Sequence, residues 1–578
     1  MQEAEYVHQL DRLWARNWPA DLPREPHYPF GEIPITDYLR SWARHSPERA
    51  ALVFYGTEIS YQRLDELSDR FAALLRSRGV RRGDRVAVLL PNCPQFHVAF
   101  YGILKLGCVH VPVNPMFKEQ ELRHELVDSG ARVIVTADTH HAMVESVRSD
   151  AGLGDIISTS PGRYLPAEPT LPVPESLLSP EQPCPGAIDL ESALEHVSAP
   201  EPRTEVGLDD LAALNYTGGT TGLPKGCEHT QRHMVYTCAT SATYNFEGLG
   251  PGSVVLTYPP YFWILGENVG VLMPVFTGAT HVILGRWDVT AALAAIERYR
   301  VTCASLIIDN AVRLMECAEA EGRDLSSIRT VTAVPFGRNL TLEDRRRWQR
   351  LSGGRSVLRV SSYGMTETHS LDTFTAGLQD GDRDLTSPPP VLCGLPQPGT
   401  RFMIRDFETG EPMPLGAEGE IVISSPSVLR AYWGRPEASR EVLRDGWLRT
   451  GDIGMLDENG FLHFMGRRKE MLKMSGMSVF PAEIELLLGQ HPAVARSGVV
   501  GKPDPDKGEV PYAFVELDPD HGGTTTAEEL VQWCRENIAG YKVPRIEVVT
   551  HLPMTTTGKV RKTELTELAA RGDRAGGP

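Results

Sequence analysis

The sequence predicts an α/β protein built in two unequal parts. Three observations carry this. Between Ser60 and Thr136, helical apolar periodicity alternates with short Val-, Ile- and Leu-rich runs, which implies parallel sheets with helices on their faces. Around residue 400 the pattern changes to short alternating strands, as in a small β-subdomain. Beyond residue 467 a separate, compact α+β unit follows. The expected division is a large N-terminal domain at 1–466, with an αβ core at 35–400 and a β-subdomain at 400–466, and a smaller C-terminal domain at 467–578.

In chain order, residues 1–32 carry Trp14, Trp18 and several prolines and read as an arm packed on a larger body. Ser60 opens an amphipathic helix with Leu64, Leu67, Phe71, Leu74 and Leu75 on one face and Gly79 at its stop. Arg85 to Leu90 follows as a strand, Gln95 to Leu106 as a helix, Val109 to Val113 as a strand, Glu119 to Ser129 as a helix and Arg132 to Thr136 as a strand. Residues 151–205 hold ten prolines and read as an irregular excursion. The alternation then resumes with helix Val289 to Tyr299 and strands Thr302 to Ile308, Thr330 to Val334 and Val357 to Ser361. Arg401 to Arg405 and Glu420 to Ser424 are strands of the β-subdomain. In the C-terminal unit we expect helices at Ala482 to Leu488 and Ala527 to Asn537, and strands at Val494 to Val500, Tyr512 to Leu517 and Arg545 to Val549.

The totals exclude several functions. The chain has 578 residues, enough for several cores, with 41% apolar and 23% charged content. A net charge of −17 argues against a nucleic-acid-binding face. The nine cysteines are scattered and lack C-x-x-C spacing, which argues against a disulfide framework or zinc site and for a reducing cytoplasm. The acidic start Met1-Gln2-Glu3-Ala4-Glu5 carries no secretory signal. Apolar runs such as Val269 to Phe276 fall far short of the ~20 residues of a membrane helix.

The chemistry concentrates in a few stretches. Tyr216 to Gly226 holds four glycines, three threonines and Lys225. It reads as a turn between a strand ending at Asp210 to Leu214 and a helix from Thr230 to Thr243. Such a turn closes backbone N–H groups around phosphate oxygens; the alternative is a flexible surface loop. It is not a Walker A loop, because Gly226 follows Lys225. In Tyr363-Gly364-Met365-Thr366-Glu367, Tyr363 can offer a ring to adenine, Thr366 can donate to a phosphate, and Glu367 is a hard oxygen ligand suited to Mg²⁺. The carboxylate of Asp452, in Thr450-Gly451-Asp452, fits two ribose hydroxyls or is a turn residue. Arg467, in Gly466-Arg467-Arg468-Lys469-Glu470, offers a rigid donor fork. Lys559, in Pro553-Met554-Thr555-Thr556-Thr557-Gly558-Lys559, stands close to the C-terminus; its ammonium is either a solvated charge or a group that lowers the repulsion between two anions.

These stretches, with Lys473-Met474-Ser475-Gly476, stand in the order of the adenylate-forming superfamily, and the chain resembles it from about residue 35 to 565. That superfamily holds acyl-CoA synthetases, adenylation domains of peptide synthetases and beetle luciferases. The resemblance implies a mobile C-terminal domain and the use of ATP, Mg²⁺ and CoA. It implies catalytic roles for Lys559, Thr217 and Glu367, and metal contacts through Glu367 and Thr220. The nucleotide is expected at Thr217, Gly218, Gly219, Thr220, Thr221, Lys225, Phe336, Gly337, Arg338, Ser362, Tyr363, Gly364, Met365, Thr366, Asp452, Arg467 and Lys559. Lys469 falls at the hinge, and Trp263, Ser475 and Gly476 at the CoA tunnel. Trp263, Asp309, Phe336 and Gly364 fall at the acyl pocket.

The chain also departs from the family. Trp263 replaces a frequent His, Phe336 stands where a small residue is common, and Asp309-Asn310 lies where Val-Pro is common, at the end of a strand. A ring at Phe336 shortens or flattens the pocket. Asp309 either meets an amino or hydroxyl group of the substrate or is a solvated turn. We therefore expect an AMP-forming acid–CoA ligase for a short, branched or aromatic acid, acting as a monomer or homodimer. The alternatives are an adenylating enzyme of a natural-product pathway, with a carrier-protein or small-nucleophile acceptor or with nitrite as substrate, and an ATP- or AMP-binding regulator. The set Lys559, Glu367 and Asp452 argues against the regulator.

Overall fold

A computed structural model describes residues 3–197, 204–217, 223–335, 340–360, 362–386, 391–474, 477–504, 508–519, 523, 525–555 and 559–571. The large N-terminal part holds two seven-stranded sheets. One runs in the order 359–360, 330–334, 303–307, 254–257, 280–283, 50–54, 57–60, and the other 188–189, 155–159, 133–137, 85–89, 109–112, 211–216, 226–230. Each is parallel except for one antiparallel pair at an edge. Strands buried on both faces need apolar residues throughout, and Val133–Ala137 is buried at all five positions.

Helices Tyr61–Ser77 and Pro94–Lys105 show why these segments pack as they do. Ser60 caps the first, its hydroxyl accepting from Arg63 N at 3.1 Å. Leu64, Leu67, Phe71, Leu74 and Leu75 are all buried on one face, each contributing about 1.5–3 kcal/mol. Gly102 of the second helix lets the two approach closely, since a Cβ there would lie 2.7 Å from the Phe71 ring.

Two expected segments differ. The residues after the glycine-rich stretch first form a strand, Gly226–Thr230, antiparallel to Leu211–Tyr216, and only then a helix, Gln231–Thr240, which continues into a π-turn, Ser241–Asn245. The stretch thus joins two strands, not a strand and a helix. The excursion 151–205 also carries order. Strands Asp155–Thr159 and Ile188–Asp189 extend the second sheet, and Asp189 caps helix Leu190–His196. Prolines erase its periodicity, while Arg163 ties it together through Glu181, Asp189 and Glu191.

A third sheet is antiparallel, ordered 373–374, 391–396, 462–467, 447–456, 419–424, 401–405. The N-terminal helix Glu3–Asn17 closes its core. Trp14 is 6% exposed and its Nε1 donates to Gly460 O at 2.8 Å. The fourth sheet holds strands 477–479, 472–474, 508–517, 494–504 and 545–549. Helices Pro481–Leu488 and Ala527–Asn537 accompany it. No helix among the described residues is long and apolar enough to cross a membrane.

Trp14→Ala removes a buried ring and its hydrogen bond, and should lower the unfolding free energy of the third sheet by about 3–5 kcal/mol. Urea titration followed by tryptophan fluorescence measures this. A midpoint equal to wild type would place the helix outside the core.

Candidate active site

The site begins at the neck of the Leu211–Tyr216 and Gly226–Thr230 hairpin. Thr217 N donates to Lys225 O at 3.0 Å, and Lys225 N donates to Thr217 Oγ1 at 3.2 Å, so the loop is pinched shut at its base. Gly218, Gly219, Thr220 and Thr221 lie outside the described residues. Segment Arg430 to Trp433 runs alongside the second strand, bonded through Glu228 N to Ala431 O and Trp433 N to Gly226 O. This brings Tyr432 beneath Lys225, whose Nζ sits 4.8 Å from the ring centroid. The Tyr432 hydroxyl then donates to Glu367 Oε1 at 2.8 Å. Sequence reasoning missed Tyr432, since nothing local marks the Ala431-Tyr432-Trp433 run as part of a site more than 60 residues away from Glu367.

Glu367 belongs to a turn that only a particular backbone can make. Tyr363 O accepts from Asp372 N at 2.8 Å and Met365 O from Ser370 N at 2.9 Å. A Cβ on Gly364 would overlap the Leu371 backbone nitrogen, which excludes any other residue there. After the short Thr366–Thr368 turn, His369, Ser370 and Leu371 all take positive φ, at 58°, 73° and 52°. The Thr368 hydroxyl bonds the buried Asp372 carboxylate, whose pKa burial pushes well above the usual range. Ser362, Met365, Thr366 and Glu367 are half-buried around this turn, and Gly364 is exposed.

Tyr363 reaches across to the third sheet. Its hydroxyl donates to Asp452 Oδ2 at 2.7 Å, and its ring lies 6.1 Å from those of Phe402 and Phe464. Asp452 stands directly opposite Arg467 in the register of strands Trp447–Leu456 and Leu462–Arg467, with Arg467 Nε 3.3 Å from Oδ1. Burial raises the Asp452 pKa, opposed by Arg467 and the Tyr363 hydrogen bond. Burial also works against the Arg467 charge, but Asp452, Tyr363, Glu470 and Glu367 outweigh it and raise its pKa.

Lys559 comes from the far end of the chain. Its N–H donates to Thr555 Oγ1 at 2.9 Å and its carbonyl accepts from Thr555 N at 2.6 Å, which holds Lys559 beside Thr555. The side chain still meets solvent, yet it lies within the field of Arg467, Asp452 and Glu470. Enclosure by the protein, and next the Arg467 charge, lower its pKa below the ordinary lysine value, against Asp452 and Glu470.

The remaining residues fall elsewhere. Lys469 is exposed in the single turn Arg468–Glu470, where Arg468 stacks 4.7 Å from the Phe407 ring and Glu470 pairs with Lys562 at 2.9 Å. Trp263 is half-buried at the start of the short helix Ile264–Gly266. Asp309 does not end a strand. It lies in the first turn of helix Ile308–Glu321, where a carboxylate meets the helix dipole favourably, and pairs with Arg496 of the fourth sheet at 3.4 Å. Phe336, Gly337, Arg338, Ser475 and Gly476 lie outside the described residues.

Glu367, a half-buried carboxylate, has the chemistry of a magnesium ligand. Among the described residues no group of three or more His, Cys, Asp or Glu is placed to hold a metal ion. Mg²⁺ is usually bound through one or two carboxylates plus substrate phosphates rather than an all-protein cage. Glu367 keeps Oε2 for such a contact while Tyr432 fixes Oε1.

Known proteins resemble the chain along most of its length. The AMP-binding enzyme family matches residues 39–433, and the AMP-binding enzyme C-terminal domain matches residues 483–559. The chain is 32% identical to the long-chain-fatty-acid–CoA ligase of Bacillus subtilis (strain 168), over 97% of this chain and 98% of that protein. It is 33% identical to the feruloyl-CoA synthase of an Amycolatopsis species, over 91% and 98%. The solved structure of the anthranilate CoA ligase AuaEII in complex with anthranoyl-AMP is similar with a TM-score of 0.79 and 25% identity, covering 96% of this chain and 99% of that one.

The lowered Lys559 pKa has a sign that can be tested. A lysine is charged below its pKa, so the ammonium should be lost at a lower pH than in a free lysine. In ATP–pyrophosphate exchange, the alkaline limb of kcat/KM for ATP reports the free protein. It should fall below the ordinary lysine value and move to higher pH in Lys559→Arg, whose guanidinium stays charged. An alkaline limb identical in both proteins would remove Lys559 from the profile.

Proposed function

The chain belongs to the AMP-binding enzyme family, and from that premise, an AMP-forming acid–CoA ligase, we propose how its own residues divide the work and which acids it takes. In the first half-reaction a carboxylate oxygen attacks the α-phosphorus of ATP, the bond to pyrophosphate breaks, and an acyl-adenylate forms. In the second, the CoA sulfur attacks the acyl carbon, a thioester forms, and AMP leaves with the electron pair of the broken bond.

Lys559 holds the incoming carboxylate and the α-phosphate together and offsets the charge that builds during transfer. Asp452 accepts from the ribose hydroxyls while Tyr363 and Arg467 keep it oriented. The pinched loop at Thr217 and Lys225 receives the outer phosphates, and Thr366 donates to a phosphate oxygen. Glu367, held by Tyr432, is the carboxylate that would hold Mg²⁺, which when bound neutralises phosphate charge. Lys469 is the pivot about which the C-terminal part turns between half-reactions, withdrawing Lys559. The observation that supports this division best is the placement of Lys559 within the field of Asp452 and Arg467.

For the acid, we propose a short, branched or aromatic acyl group. Phe262 to Leu265 form a run of four half-buried apolar residues around Trp263, with the Phe262 and Trp263 rings edge to face at 79°, an apolar surface that a ring can pack against. The feruloyl-CoA synthase relative and the anthranilate CoA ligase structure act, by their names, on aromatic acids. The long-chain reading has its own support in the Bacillus relative.

A panel of short, branched, aromatic and long straight-chain acids, each with ATP and CoA, separates them by thioester yield. Highest kcat/KM for an aromatic or branched acid is expected. Preference for long straight chains would overturn the size reading and leave the ligase intact. Replacing CoA by a phosphopantetheinyl carrier protein tests the acceptor. In the same assays Lys559→Ala should lose ~10²–10³ in adenylation rate while ATP binding persists, and undiminished exchange would refute its role.

A further inference from the structure

The second strand of the hairpin carries a histidine where packing alone needs only an apolar side chain. His229 is fully buried, and its ring nitrogen Nε2 lies 2.7 Å from the carbonyl oxygen of Thr366. We propose that His229 is a positioning residue for nucleotide binding. It locks the Thr366–Thr368 turn to the hairpin whose loop holds Thr217 and Lys225. This rests on the division of labour proposed above and adds a residue to it.

The hydrogen-bond pattern fixes the ring's state. A carbonyl oxygen only accepts, so His229 Nε2 carries a proton and donates. Burial, and next the nearby His369 and His233, hold the His229 pKa well below the ordinary value, so the ring is neutral and Nδ1 is an acceptor. His233 Nδ1, 3.2 Å away, must therefore donate. His233 is held by its own backbone, N to Thr230 Oγ1 at 3.4 Å, at the start of helix Gln231–Thr240. The result is a directed relay from His233 through His229 to Thr366 O. The same oxygen also accepts from His369 N at 3.2 Å, which uses both of its lone pairs.

The turn needs this hold. His369, Ser370 and Leu371 lie in the left-handed region, which costs about 1–2 kcal/mol for each non-glycine residue. A strained run beside the binding residues stays in place only when its surroundings over-determine it. His229 supplies one such constraint, and it comes from the strand leading out of the phosphate-facing loop. Two segments more than 130 residues apart are thereby set at one spacing.

The test uses three variants and two readouts, equilibrium binding of ATP by calorimetry and KM against kcat in pyrophosphate exchange. His229→Gln places an amide nitrogen the same number of bonds from the backbone as Nε2 and should bind ATP within about twofold of wild type. His229→Asn places it one atom short, and His229→Leu removes the donor. Both should weaken ATP binding and raise KM for ATP about tenfold, the equivalent of one charge-neutral hydrogen bond at about 1.4 kcal/mol. Rescue by Gln alone supports the proposal. Equal affinity in all three, or equal loss in folded Gln and Asn variants, overturns it. Should Leu fail to fold, the Gln and Asn pair still decides. Because ATP binding needs no acid, wild-type binding without exchange would count against the proposed reaction and leave the His229 comparison standing.

Discussion

A buried carboxylate must find partners, and Asp452, 3% exposed, finds them on two separate elements. Removing one partner of such a group costs about 3–5 kcal/mol, because a charge is left uncompensated. Tyr363 supplies a hydroxyl from the αβ core and Arg467 a guanidinium from the neighbouring strand. The pairing therefore decides where the turn carrying Glu367 rests against the third sheet. It also fixes the end of strand Leu462–Arg467, from which the chain departs toward the fourth sheet. Lys559 arrives in the same field from the far end of the chain. Segments distant in sequence are made neighbours by the need to satisfy one anion.

Much of the scaffold was legible because its physics is local. Helices Glu119–Ser129, Val289–Tyr299 and Ala527–Asn537 fall on the expected residues, since apolar spacing and capping residues are read directly. Strand Gly226–Thr230 was hidden for the opposite reason. Its residues Cys227, Glu228 and His229 are buried on both faces, yet two of them are polar, so no apolar run announces a strand. The excursion 151–205 was read as irregular because its order rests on one arginine meeting three carboxylates, a contact that sequence spacing cannot reveal.

The site divides the same way. Tyr363, Asp452, Arg467 and Lys559 sit in short stretches of unusual composition, and the fold gathers them. Tyr432 and His229 have no such surroundings. Each becomes visible only when long-range pairing sets it against Glu367 or Thr366. Asp309 shows the converse, a residue conspicuous in the sequence whose carboxylate the fold turns toward Arg496. The chemistry of a residue type narrows what it can do, while its partners decide which of those things it does.

Asp309 and Arg496 are 24% and 35% exposed and 3.4 Å apart, linking the large part to the fourth sheet. An ion pair in so wet a setting is worth at most about 1 kcal/mol, roughly a fivefold bias in a two-state equilibrium. It is also within reach of dissolved ions, whose screening length is about 8 Å at physiological strength. The contact behaves as a magnet and not a bolt. It favours one arrangement of the two parts while thermal motion opens it freely, and the salt content of the surroundings sets how often.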